Sequence, residues 1–153
     1  MTDRDALYRG FVERFHAGKR ARPAAEAKVD AAEAALGVLW PESYRRFVLR
    51  FGAPWVPSIL DLVCDRRADF SDVQQFLTPR EAVVETRRSG LAPDGGWTVL
   101  AIDCSGNLFT FRDLPAAPPR PDDAPVWRFD HEEGETKLEA PSFDAWLARF
   151  LSL

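Results

Sequence analysis

The chain has 153 residues, 46% apolar and 12% aromatic, which is the size and filling of one ordinary domain over residues 1–153. It opens polar at Met1-Thr2-Asp3-Arg4-Asp5 and holds no apolar run long enough for a bilayer, so neither a secretory leader nor a membrane span is expected. The net charge of −4 divides unevenly: residues 1–50 hold ten Lys/Arg against seven Asp/Glu, and residues 51–153 ten against seventeen. An acidic surface of that kind disfavours nucleic acid and favours a cationic partner.

In chain order, Leu7, Phe11 and Phe15 recur every fourth residue and predict a helix over Asp3 to His16, closed by Gly18. Pro23 suits the first position of an Ala-rich helix whose inner face is Val29, Ala32 and Leu36, with Gly37 as its cap. Trp40-Pro41 opens a third helix, with Tyr44, Phe47, Val48 and Phe51 on one face and Gly52 at its end. The apolar run Ser58 to Cys64 reads as a strand. Thr78-Pro79-Arg80-Glu81 has the form of a capping box, so a helix carrying Val83 and Val84 starts there and stops near Gly90.

After a turn at Pro93-Asp94-Gly95-Gly96, Trp97–Ile102 and Leu108–Arg112 predict an antiparallel hairpin around Cys104-Ser105-Gly106-Asn107. The Pro-rich stretch Leu114 to Pro125 predicts an exposed loop. Val126–Asp130 is a further strand, His131 to Glu135 an acidic turn, and Lys137–Ala140 a last short strand. Ser142 caps a final helix with Phe143, Trp146, Leu147, Phe150 and Leu151 on one broad face. Helices, then antiparallel strands and a helix, give an α+β fold, with the N-terminal helices and the C-terminal helix expected on a curved antiparallel β-sheet.

Three stretches resemble the SUKH superfamily, the cell-wall-assembly regulator type of domain. Leu36-Gly37-Val38-Leu39-Trp40-Pro41-Glu42-Ser43-Tyr44-Arg45-Arg46-Phe47 is similar to that family's "L-G-x-x-L-P-x-x-Y-x-x-F-L" opening. Ala101 to Phe109 resembles its central strand–turn–strand hairpin. Val126-Trp127 through His131-Glu132-Glu133, and Ala140-Pro141-Ser142-Phe143-Asp144-Ala145-Trp146-Leu147, resemble its ending. Trp40 stands where the family usually has Leu, Phe51-Gly52-Ala53 replaces Asn-Gly-Gly, and Arg66 to Phe76 has no counterpart. The resemblance implies an immunity protein that binds and neutralises a bacterial toxin, or a regulatory interaction domain of the same fold. It implies no catalytic residues.

The residues themselves offer little catalytic chemistry. His16 and His131 are far apart in sequence, and His131-Glu132-Glu133 lacks the second histidine of a metalloprotease helix, so His131 reads as a surface residue at a strand end. Cys64 and Cys104 read as two reduced, buried thiols, which fits a cytosolic protein. No enzyme activity, cofactor or metal is expected.

Trp97, Trp127, Phe109 and Phe111 alternate along strands, so one sheet face is expected to be core. Trp55, between Pro54 and Pro57, reads first as a core plug and second as an exposed anchor. The acids are the stronger signal. Asp61, Asp65, Asp69 and Asp72 form one set; Asp122, Asp123, Asp130, Glu132, Glu133 and Glu135 form another, with Glu139 behind them. They are either a solvated face or, with Trp55, the surface for a basic protein toxin acting in the cytosol, such as a nuclease or deaminase.

Overall fold

The computed structural model describes residues 3–91 and 95–153; the turn expected at Pro93-Asp94 lies outside them. Among the described residues there are six helices and five strands: α1 (Asp3–Phe15), α2 (Glu26–Leu36), α3 (Glu42–Phe51), α4 (Ser58–Asp65), β1 (Gln75–Phe76), α5 (Pro79–Ser89), β2 (Thr98–Ile102), β3 (Leu108–Phe111), β4 (Val126–Asp130), β5 (Glu135–Ala140) and α6 (Phe143–Leu151). The strands pair antiparallel in chain order, β1 to β5, in an open sheet. Register shifts after Val99 in β2 and after Val126 in β4 mark bulges, which bend a sheet. The α+β architecture is the one expected.

Local chemistry fixes several element ends. Thr78 and Glu81 make the reciprocal capping box, with Glu81 N–H donating to Thr78 Oγ1 at 3.2 Å and Thr78 N–H to Glu81 Oε1 at 2.9 Å. Ser142 Oγ accepts from Ala145 N–H at 3.0 Å at the start of α6. Gly52 ends α3 at φ +74°, and a Cβ there would collide with the Arg22 carbonyl oxygen. Only glycine satisfies both conditions.

One layer of aromatic side chains joins helices to sheet. Phe143, Trp146, Leu147 and Phe150 of α6 are buried, and Trp146 meets Phe109 of β3 with ring centroids 4.9 Å apart. Tyr44 and Phe47 of α3 and Tyr8 and Phe11 of α1 close the same core: Tyr44 lies 5.3 Å from Phe111, and Phe11 5.6 Å from Phe76. Such tilted and edge-to-face pairs add to burial itself.

Three expectations need correction, and a fourth gains detail. Ser58–Cys64 is helix α4, not a strand: Ile59, Leu62 and Val63 fall at helical spacing and turn toward the core. Pro23 precedes α2, which begins at Glu26. Both cysteines are free and exposed rather than buried. The Pro-rich segment is the loop expected, exposed over residues 116–119, but it is tied down at both ends: Pro115 and Pro121 carbonyls accept from Leu39 and Glu42 N–H, and Arg120 pairs with buried Glu33, which also holds Arg45 at 2.6 Å. Arg120 also donates to the Trp40 carbonyl at 2.7 Å, so the loop closes over the start of α3.

Candidate protein-interaction surface

The acids expected to bind a partner do not all meet. Strand β4 separates the Asp122–Glu139 set, and its five residues span about 16 Å at ~3.3 Å each. Asp122 and Asp123 lie at one end, beside α6. Asp122 takes two hydrogen bonds from the Arg4 guanidinium, 3.1 and 2.9 Å, which hold its carboxyl below the usual range. Asp123 caps α6, accepting from Phe143 N–H at 2.9 Å and Asp144 N–H at 3.2 Å, as well as from Ser43 Oγ at 2.8 Å. Asp123 thus has a structural task that its place in an acidic run did not reveal.

At the other end stands the β4–β5 turn. Asp130 Oδ1 accepts from Glu132 N–H at 2.9 Å and Glu133 N–H at 3.1 Å, and these backbone bonds, that of Glu133 foremost, lower its pKa. Their donors' own side chains, with Glu135, stand exposed in solvent. His131, exposed at the strand end, fastens this turn to the β2–β3 turn: its N–H and Nδ1 lie 3.2 and 2.8 Å from Asn107 Oδ1. Asn107 in turn donates from Nδ2 to Asp103, whose other oxygen takes the backbone N–H groups of Ser105 and Asn107.

The earlier acids divide similarly. Asp61 and Asp65 are exposed on α4, and Asp69 is exposed beyond it. Asp72 is 8% exposed; its Oδ1 is 3.9 Å from Cys104 Sγ and its Oδ2 has no hydrogen-bond partner. Burial, and next the charge of Asp103, raise its pKa. Glu139 is also raised, chiefly by burial, although Ser71 N–H donates to it at 3.1 Å. Arg128 Nη2 lies 3.4 Å from Asp103. These contacts set Asp72, the β2–β3 turn and the β4–β5 turn side by side at one end of the sheet. Among the described residues no group of three or more His, Cys, Asp or Glu is arranged to hold a metal ion.

Trp55 is 41% exposed and forms an antiparallel bridge with Gln75, its N–H donating to His16 Nδ1 at 3.0 Å. Because paired residues share a face, the register places Trp55, Gln75, Ile102, Leu108, Phe129 and Thr136 in one row across the sheet. That row lies opposite the face of Phe76, Phe109 and α6 and ends next to the acidic turn. Val99, Thr110, Trp127 and Leu138 form the next row on the same outer face. The expected core pairing of Trp127 with Phe109 therefore fails: Phe109 and Phe111 are buried, whereas Trp127 faces outward and is part-exposed. Arg112 lies between Trp127 and Trp97, its guanidinium carbon 4.7 and 5.3 Å from the two ring centroids. The outer face was missed in the sequence, although Trp127 and Phe129, two residues apart, were the signal for it.

No helix among the described residues is long and apolar enough to cross a membrane. The family model described as SMI1 / KNR4 family (SUKH-1) matches residues 23–149 of the chain. No curated protein matches it.

Proposed function

The chain belongs to the SMI1 / KNR4 family (SUKH-1), and from that premise we propose that it is an immunity protein, one that binds a bacterial toxin and covers its active site. The observation that carries this reading is the acidic end of the sheet, where Glu132, Glu133 and Glu135 stand exposed beside the turn of Asp103 to Asn107. A toxin that attacks nucleic acid needs a cationic site, and carboxylates steer toward it at long range before contact. The toxin class is thus a basic nuclease or deaminase acting in the cytosol, and the immunity protein works in the same compartment. Neutralisation is by occupancy, one molecule for each toxin, with no turnover, cofactor or metal.

The test is co-expression with a candidate toxin polypeptide sought among the genes that neighbour the one for this chain. Growth restored at equimolar expression, with a 1:1 complex on sedimentation, is the expected result. Protection by a small fraction of an equivalent would point to catalysis, and no protection from that toxin would refute the reading.

A further inference from the structure

We infer that the outer face of the sheet is the centre of the interface, and that its occupant is a basic protein presenting aliphatic or aromatic side chains flanked by Lys or Arg. The inference rests on the immunity reading and adds to it the place and chemistry of contact. Three large apolar side chains are exposed among the described residues, Trp55 at 41%, Val84 at 44% and Leu138 at 54%, and all three border this face. Trp55 and Leu138 belong to its two rows. Val84 shares a groove with Gln75 and Ile102, where α5 runs along β2 beyond its short pairing with β1 and Thr86 Oγ1 accepts from Val99 N–H at 2.8 Å. Part-exposed Ile102, Leu108, Phe129 and Trp127 lie between Trp55 and Leu138, and scattered apolar residues need no explanation whereas a run of them across one pre-formed face does.

The dimensions decide what covers it. From Trp55 to β5 the face crosses six backbone segments, five gaps of ~4.8 Å or about 24 Å, and a strand contributes roughly 15 Å along its length. That is at most about 360 Å² in projection, less where Val99 and Thr110 are buried, and under half of the ~800 Å² per partner in a stable interface. The apolar rows alone fall short of a homodimer, and each copy carries a net charge of −4. The missing area lies in the rim, and at the turn end the rim is acidic. A basic partner completes the interface where a second copy would meet like charge. The stacking of Arg112 on Trp127 holds that ring in place before binding, which lowers the ordering cost on association.

The experiment uses the full chain and the toxin it protects against. Leu138→Lys and Val84→Lys change exposed side chains, so the thermal midpoint should hold, while the dissociation constant should rise at least about 30-fold, the measure of a central interface residue. Glu13→Lys, on the exposed side of α1, should bind as the wild type does. Tight binding by the wild type with no loss in either outer-face variant would overturn the inference and leave the immunity reading standing. Sedimentation of the free chain as a dimer that Leu138→Lys dissociates would overturn it in favour of a second copy. Failure of the wild type to protect would remove the immunity reading, and this inference with it.

Discussion

Phe47→Ala tests the core on which the interaction surface is built. Phe47 is fully buried on α3, and its ring meets five others: Tyr8 at 5.3 Å, Phe143 at 5.4 Å, Phe76 at 5.5 Å, Phe51 at 6.0 Å and Phe11 at 6.3 Å. Truncating a buried Phe costs about 3–5 kcal/mol in lost transfer energy and residual cavity. Neighbours from α1, α6 and β1 hold the cavity walls apart, and edge-to-face pairs are lost as well, so the upper part of that range is expected. For a chain of this length each kcal/mol moves the thermal midpoint by ~2–4 °C, so about 4–5 kcal/mol gives a fall of about 8–20 °C. Calorimetry or circular dichroism melts read the change directly. An unchanged midpoint would refute the packing of α3 between α1, α6 and the sheet.

Reversing Glu132 and Glu133 to Lys leaves the melting curve unchanged, since both side chains are exposed, and slows association with the toxin on the order of 10-fold at low salt. Raising salt from 0.1 to 1 M, where the screening length falls from ~10 to ~3 Å, should slow the wild type likewise; stopped-flow kinetics check both. Asp72→Asn should stabilise the fold at pH 7 by on the order of 1 kcal/mol. Burial raises the Asp72 pKa, so its contribution is most favourable below the unfolded value of ~3.9 and is lost as pH rises through the folded value. The advantage of Asn should therefore vanish toward pH 4 in urea unfolding measured across pH. Gly52→Ala should destabilise by several kcal/mol, because φ is positive and the Arg22 carbonyl occupies the space; a near-native urea midpoint would show that the α1–α2 connection yields.

What the sequence made legible was local. The Thr78–Glu81 box, the Ser142 cap and the α6 face are set by residues within a turn or two of each other, and the structure has them where the spacing predicts. The hairpin of β2 and β3 was readable for the same reason. Helix α4 was not: a run of seven with Ile59, Leu62 and Val63 satisfies strand and helix patterns alike, and only its packing selects the helix. Strand β1, two residues long, has no pattern to read; it exists because β2 offers an edge. The acids illustrate the same limit. Asp123 and Glu133 sit ten residues apart, yet one caps a helix and the other projects into solvent, because β4 carries the chain from one end of the sheet to the other.

The outer face carries the argument furthest. In an antiparallel sheet with one covered face, strands should alternate apolar inward and polar outward. Strand β3 breaks that rule, with Phe109 and Phe111 inward and Leu108 outward. Strand β4 inverts it, with Trp127 and Phe129 outward while Arg128 turns to the side of Phe109 and reaches Asp103. Helix α5 shields the margin at Val99 but leaves Ile102, Trp127, Phe129 and Leu138 part-exposed or exposed. Folding alone gains little from apolar side chains on the solvent side of a sheet. A sequence that keeps them there, beside carboxylates that no helix needs, fits a surface completed by another molecule.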